Sequence, residues 1–357
     1  MKSLLQINGQ LVHWAKLHQF KPSTPFEKST IDFIQQWLSE VKEFNIHTSG
    51  STGKPKKINI SRLQMEISAR LTIDALKINS GQTALVCLDT EYIAGKMMLV
   101  RAMINHMNII AIAPSSNPLT NLDKVPDFAA VVPLQLEEML NNEKTKMLLN
   151  KMSAIIVGGA PVSPVLERKL QQVSTPIYAT YGMTETVSHV ALKRLNGPER
   201  SATFTAFKEV KLALDDRGCL TIQSALTNHE TLTTNDRVEL ISDHHFEWLG
   251  RADNIINSGG VKVQSEKVEK AVAQILDELG LSNRFFVTGI PDEKLGHKVY
   301  LVMESPDNLN NDKEKILSLL QAKLSRYEVP KDITLVPQFT ETPTGKVNRR
   351  ETIKKLL

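Results

Sequence analysis

Residues 47 to 61, HTSGSTGKPKKINIS, crowd His47, Thr48, Ser49, Gly50, Ser51, Thr52, Gly53, Lys54 and Lys56 into one segment. Hydroxyls and glycines at this density can turn O–H and backbone N–H donors toward a single anion, because glycine accepts the positive φ that such a nest needs. Lys54 and Lys56 add charge. The spacing excludes a Walker A loop, since Gly50 and Gly53 stand too close together and no Ser or Thr follows Lys54. A Gly/Ser surface turn would have the same composition, so the rest of the chain must decide between the two.

Further segments carry residues suited to chemistry. IIVGGAPVS (155–163) ends an apolar run in Gly158, Gly159 and Ala160, which lets a flat ligand lie against backbone or makes a tight strand-to-helix turn. YGMTET (181–186) sets the ring of Tyr181, the small Gly182, the hydroxyl of Thr184 and the carboxylate of Glu185 within six residues. A ring can stack on a base and a threonine can bind a phosphate oxygen. A carboxylate suits Mg2+, a hard cation that takes oxygen ligands and stays partly hydrated. TTND (233–236) offers Asp236 as an acceptor for two ribose hydroxyls. Gly259 and Gly260 suit a hairpin turn, and Lys346 in PTGKVNRR (343–350) lies on a Gly-rich loop in a basic tail of the kind that is ordinarily solvated.

The elements that must position these residues are legible as periodicities. Ile31, Ile34, Leu38 and Val41 predict an amphipathic helix over residues 30 to 42, capped by Ser29 or Thr30. Ser61 opens a second helix with an apolar stripe of Leu63, Ile67 and Leu71. TALVCL, NIIAIA, FAAVV and SAIIV are short apolar runs alternating with helical stretches, the pattern of a largely parallel sheet covered on both faces. From about residue 205 the pattern changes to hairpins: VKLAL with CLTIQ, then RVELI with FEWLG. A helix from Ser265, strands FFVTGI and KVYLVM, a helix over 313 to 325 and a strand DITLVP form a small α+β unit. The expected architecture is α/β: a large domain over 1–249 with mixed, largely parallel sheets plus hairpins, and a small C-terminal α+β domain over 250–357.

Composition narrows the class. The 357 residues are 41% apolar and 23% charged, ordinary for a globular enzyme, and the net charge of +4 is not blocked into runs, so no nucleic-acid partner is expected. Two cysteines at no metal spacing, Cys87 and Cys219, read as buried thiols in a reducing compartment. No apolar run reaches membrane-spanning length and the N-terminus is too polar for a signal peptide, so a cytoplasmic protein without membrane insertion is expected.

Taken in order along the chain, these motifs resemble those of the adenylate-forming superfamily of acyl-CoA synthetases, peptide-synthetase adenylation domains and luciferases. YGMTET matches the superfamily pattern residue for residue. The resemblance implies ATP, Mg2+ and coenzyme A as cofactors and co-substrates. It implies that residues Thr48 to Lys54 hold the ATP phosphates, that Gly158, Gly159 and Ala160 line the adenine, and that Glu185 binds the metal. It also implies that Arg251 is a second ribose and phosphate contact, Asp253 the hinge of a mobile small domain, Gly259 and Gly260 a backbone contact to pantetheine, and Lys346 the lysine that reaches the reacting carboxylate. Where the family has Thr-Gly-Asp, this chain has Asn235 before Asp236; an asparagine tolerates the left-handed turn a glycine would adopt. The region before the phosphate loop is short for the superfamily, which leaves a homodimer open.

Within the superfamily, the short form and YGMTETVSHVAL are similar to the o-succinylbenzoate–CoA ligases of menaquinone synthesis. By that likeness Tyr92 takes the gate position, and Ser188 and His189 face the acyl pocket and bind a doubly carboxylated acid. A ligase for another aryl or acyl acid, a carrier-protein loading enzyme and a non-catalytic nucleotide sensor are the alternatives.

Overall fold

The computed structural model describes residues 3–39, 41–47, 57–305, 312–341 and 347–355. The predicted phosphate-loop residues Thr48, Ser49, Gly50, Ser51, Thr52, Gly53 and Lys54, and the tail residue Lys346, lie outside the described residues.

The chain begins with a hairpin of β1 (Leu5–Ile7) and β2 (Gln10–Val12), followed by helix α1 (Pro25–Leu38). Thr24 caps α1 and Pro25 occupies its first turn, where a missing N–H costs nothing. The helix therefore starts earlier than the periodicity predicts. Ile31 and Ile34 are buried, but Leu38 is exposed at the helix end and Val41 lies exposed beyond it. β3 (Glu43–His47) and β4 (Lys57–Ser61) pair antiparallel with His47 opposite Lys57.

Ser61 opens α2 (Arg62–Leu76) through a capping box with Gln64, as predicted. Its buried face is not the expected one. Leu63 is 64% exposed, while Gln64, Met65, Ser68, Ala69, Thr72 and Ile73 turn inward.

Strand and helix then alternate: β5 (Thr83–Val86), α3 (Ile93–Ile104), β6 (Asn108–Ala111), β7 (Phe128–Val131), α4 (Pro133–Asn141), α5 (Glu143–Leu149), β8 (Ala154–Val157), α6 (Pro164–Leu170) and β9 (Ile177–Gly182). Side by side, β9, β8, β7, β5, β6 and β1 form a parallel sheet, with β2 antiparallel at the edge. Every residue of β7 and β8 is buried because both sheet faces are covered. Phe128 and Ala130 join one core with α2 and α3, while Ala129 and Val131 join the other with α4 and α6.

The same sheet continues antiparallel through β10 (His189–Arg194), β11 (Phe204–Ala206), β12 (Lys211–Leu214), β13 (Cys219–Gln223), β14 (Leu232–Ser242) and β15 (His245–Arg251), in the order β9-β10-β11-β15-β14-β13-β12. Asn235 lies within β14 and has no left-handed backbone, so there is no glycine turn to replace and that expectation is corrected. Cys87 and Cys219 are free and buried.

A 3-10 turn over Ala252–Asn254 leads into a second sheet: β16 (Ile255–Ser258), β17 (Val261–Gln264), α7 (Ser265–Glu278), β18 (Phe285–Asp292), β19 (Gly296–Glu304), α8 (Lys313–Lys323), β20 (Ile333–Val336) and α9 (Arg349–Lys354). This smaller unit has its own core around Val268, Val272, Ile275, Leu301 and Leu320. Among the described residues no helix is long and apolar enough to cross a membrane.

Candidate functional site

Ligands in open α/β sheets gather beyond the carboxyl ends of parallel strands. Gly158 and Gly159 follow β8, Tyr181 and Gly182 end β9, and His189 starts the antiparallel β10 directly opposite Gly182. The predicted residues on these strands therefore share one sheet edge. Two glycines there are required by close approach. A Cβ at Gly158 would stand 2.3 Å from Thr180 Oγ1, and one at Gly182 would stand 2.3 Å from the Ser188 carbonyl oxygen. Ala160 follows as an exposed residue.

Thr184–Thr186 form a short 3-10 turn with Glu185 exposed and Thr184 half-buried. Among the described residues no three His, Cys, Asp or Glu side chains cluster for a metal. A cation held by Glu185 would complete its shell with water and phosphate oxygens. That arrangement fits Mg2+, which is commonly bound by one or two carboxylates plus substrate phosphates.

A second group lies on the strands beside β9. Tyr181 is buried, its ring edge-on to Phe246 at 5.0 Å and tilted against Phe204 at 5.8 Å, and its hydroxyl donates to Asp236 Oδ2 at 2.8 Å. Burial, then the Asp236 charge, push the phenol well above its usual range. Trp248 Nε1 donates to Asp236 Oδ1 at 3.2 Å. A carboxylate has about four acceptor sites, so Asp236 keeps capacity for further donors.

Arg251 sits opposite Asp236 in the β14–β15 register, yet its guanidinium grips Asp253 with two bonds of 2.8 Å and approaches Asp236 only to 3.8 Å. Its own backbone N–H donates to Glu266 of α7 at 3.2 Å, which ties the large sheet to the small unit. Arg168 of α6 pairs with Asp277 of α7 across the same gap. Gly259 and Gly260 turn the β16–β17 hairpin with φ of +61° and +84°, so the hairpin reading of this pair is realised.

The motifs do not include Arg101. It lies in α3 among Met97, Met98, Leu99, Val100, Ala102 and Met103, all buried, and is itself only 2% exposed. Its Nη2 donates to Ser188 Oγ at 2.7 Å, its Nε has no partner, and no carboxylate pairs with it among the described residues. Burial alone pushes the guanidinium down to about 9. A buried charge is normally paired, so an unpaired one points to an anion that arrives from outside. The signal was present in the sequence: after Lys96 the run MMLVRAMI is apolar on every side but for its one arginine, and every residue from Met97 to Met103 is buried, Arg101 with them. Ser188 Oγ lies 3.3 Å from His189 Nδ1, and His189 Nε2 lies 3.1 Å from Thr72 Oγ1. Burial, then the Arg101 charge, hold His189 neutral by lowering it well below the usual imidazole range. Tyr92 stands half-buried at the start of α3.

Residues 43–220 match the family described as AMP-binding enzyme. A solved relative, the acyl-CoA synthetase (AMP-forming)/AMP-acid ligase II-like protein from Dyadobacter fermentans, is 41% identical, with 97% of this chain and 99% of that chain covered at a TM-score of 0.64. The chain belongs to the AMP-binding enzymes. The 2-succinylbenzoate–CoA ligase of Lactococcus lactis is 24% identical to this AMP-binding enzyme over 328 residues, covering 86% of this chain and 69% of the relative. The fold is shared with the o-succinylbenzoate coenzyme A synthetase of Bacillus subtilis in complex with ATP and magnesium, at 19% identity and a TM-score of 0.71 over 87% of this chain and 69% of that one. Across its curated relatives, this AMP-binding enzyme spans 64% to 72% of their length.

Proposed function

We propose that this AMP-binding enzyme is an AMP-forming acid–CoA ligase whose acid carries two carboxylates, with o-succinylbenzoate the best fit. An oxygen of one carboxylate attacks the α-phosphorus of ATP, the bond to the bridging oxygen breaks and pyrophosphate leaves. The coenzyme A thiol then attacks the acyl carbon and displaces AMP. Asp236 and Arg251 are assigned to the ribose, Gly158 to Ala160 and Tyr181 to the adenine side, and the 48–54 segment, Thr184 and Lys346 to the phosphates. Mg2+ bound at Glu185 would neutralise phosphate charge. The small unit over 250–357 is assigned a movement about Asp253 that presents Lys346 in the first step and the Gly259–Gly260 turn in the second.

The observation that carries the substrate reading is Arg101: a guanidinium in the core, without a carboxylate partner among the described residues, beside Ser188 and His189. A monocarboxylic acid would spend its only carboxylate at the reacting end and leave Arg101 unpaired. A dicarboxylic acid supplies the missing anion. The test is kcat/KM by pyrophosphate release for o-succinylbenzoate, benzoate and a medium-chain fatty acid. Preference for o-succinylbenzoate is expected. Faster turnover of the fatty acid would move the enzyme to a general acyl-CoA synthetase.

A further inference from the structure

The hydroxyl of Thr72 donates to the Ser68 carbonyl at 3.0 Å, one turn back along α2. That commitment fixes the sense of everything attached to it. Thr72 Oγ1 has only a lone pair left for His189, so the Nε2 that lies 3.1 Å away carries the proton. A neutral imidazole has one N–H, which leaves Nδ1 a bare acceptor. The Ser188 hydroxyl, 3.3 Å from Nδ1, therefore donates to the ring, and its oxygen accepts from Arg101 Nη2 at 2.7 Å. The bonds form a one-way chain, Arg101 to Ser188 to His189 to Thr72 to the backbone of α2, with every donor pointing away from the guanidinium.

Two features hold this chain in place. Val187, immediately before Ser188, is buried with φ +65° and ψ −53°, and Ser188 N–H bonds the Thr186 carbonyl at 2.7 Å. That is a γ-turn of the rare positive-φ kind, a strained conformation for a β-branched residue, and it sets the direction of the Ser188 side chain. The buried stripe Gln64, Ser68 and Thr72 is the second: it brings a hydroxyl into a face that is otherwise Met65, Ala69 and Ile73.

We propose that Thr72 and His189 are positioning residues which, through Ser188, lock the Arg101 guanidinium in the orientation that receives the acid's second carboxylate. This rests on the assignment of Arg101 to that carboxylate. Because the Ser188 proton is committed to His189, Ser188 offers Arg101 an oxygen and has no hydrogen left for the substrate. Ser188 and His189 thus stand behind Arg101 rather than binding the acid themselves. Removing the Thr72 hydroxyl strands the His189 Nε2 proton, and the favoured response is the other tautomer. Nδ1–H then donates to Ser188, the serine proton turns toward the guanidinium, and Arg101 is loosened.

Thr72→Val keeps the shape and removes the acceptor, while Thr72→Ser keeps the hydroxyl. The expected result is a KM for o-succinylbenzoate raised about 10-fold in Thr72→Val, the size of one lost hydrogen bond, and restored in Thr72→Ser. KM values for benzoate and ATP should be unchanged. A uniform loss with all acids, or no change, overturns the positioning role. The Arg101 assignment is checked separately, because in an Arg101→Met background the same Thr72→Val change should have no further effect on acid preference. If Arg101→Met itself leaves preference intact, the underlying assignment fails; if it removes preference while Thr72→Val alone does nothing, only the positioning role fails. The 15N spectrum of His189 in the unmodified enzyme gives a readout independent of variant folding. An Nε2–H tautomer is expected and an Nδ1–H tautomer overturns the chain.

Discussion

Replacing Arg101 by methionine should make the ligand-free enzyme more stable while removing its taste for dicarboxylic acids. A depression of the guanidinium by burial from its usual range down to about 9 corresponds to a penalty on the order of 5 kcal/mol for keeping the ion charged in the core. No carboxylate among the described residues offsets it, and the group is fully buried, so solvent does little to relieve it. The charge-assisted bond to Ser188 returns about 2 kcal/mol. Methionine is flexible, apolar and of similar reach, so it can fill the space between Met97 and Met103 on α3. The expected net gain is about 3 kcal/mol, read as a shift in the urea midpoint of the ligand-free chain at constant m-value. In the same variant kcat/KM for o-succinylbenzoate should fall about 100-fold or more, the usual cost of removing one partner of a buried charge pair, with KM for ATP unchanged. A variant destabilised by about 3 kcal/mol with unaltered acid preference would show that Arg101 is a structural partner of the core. It would refute the account of an ion waiting for substrate.

The neutral, buried His189 should make stability fall with acidity. The unfolded imidazole binds a proton below about pH 6.5 and the folded one does not, so stability is full above that pH and is lost as pH drops below it, by up to about 1.4 kcal/mol per pH unit. Urea midpoints from pH 5 to 7.5 should show this slope in the wild type and a flatter one in His189→Gln; equal slopes would place the titrating group elsewhere. Gly182→Ala, which sets a methyl 2.3 Å from a backbone oxygen that no rotamer can move, should cost about 3 kcal/mol and most of the activity, and a neutral result would contradict the tight turn. Lys346→Ala should abolish pyrophosphate release and spare thioester formation from a supplied acyl-adenylate, since extra charge develops at the α-phosphate only in the first step. Equal loss of both half-reactions would remove that assignment.

Local patterns were enough to read the alternation of strand and helix from β5 to β9, the hairpins beyond residue 205 and the small unit after the 3-10 turn, because each depends on neighbours a few residues apart. YGMTET and the 47–61 segment stand out in the sequence for the same reason: their polar groups are concentrated in consecutive residues. What the tertiary structure decided is which side of an element faces inward and what it meets there. On α2 Leu63 turns outward and Ile67 and Leu71 are only half-buried against the core, while the face holding Ser68 and Thr72 is fully buried, where His189 can satisfy a hydroxyl. Asn235 looked like a substituted glycine turn, yet it lies without positive φ in an irregular stretch of β14, where Thr234, Asn235 and Asp236 stand between the Thr221–Thr233 and Cys219–Arg237 pairs of the β13–β14 ladder. Arg101 is 87 residues from Ser188 along the chain, and nothing in either local sequence names the other. Only the packing of α3 onto the sheet brings them together, with no carboxylate among the described residues beside the guanidinium, and that arrangement is what the proposed substrate reading rests on.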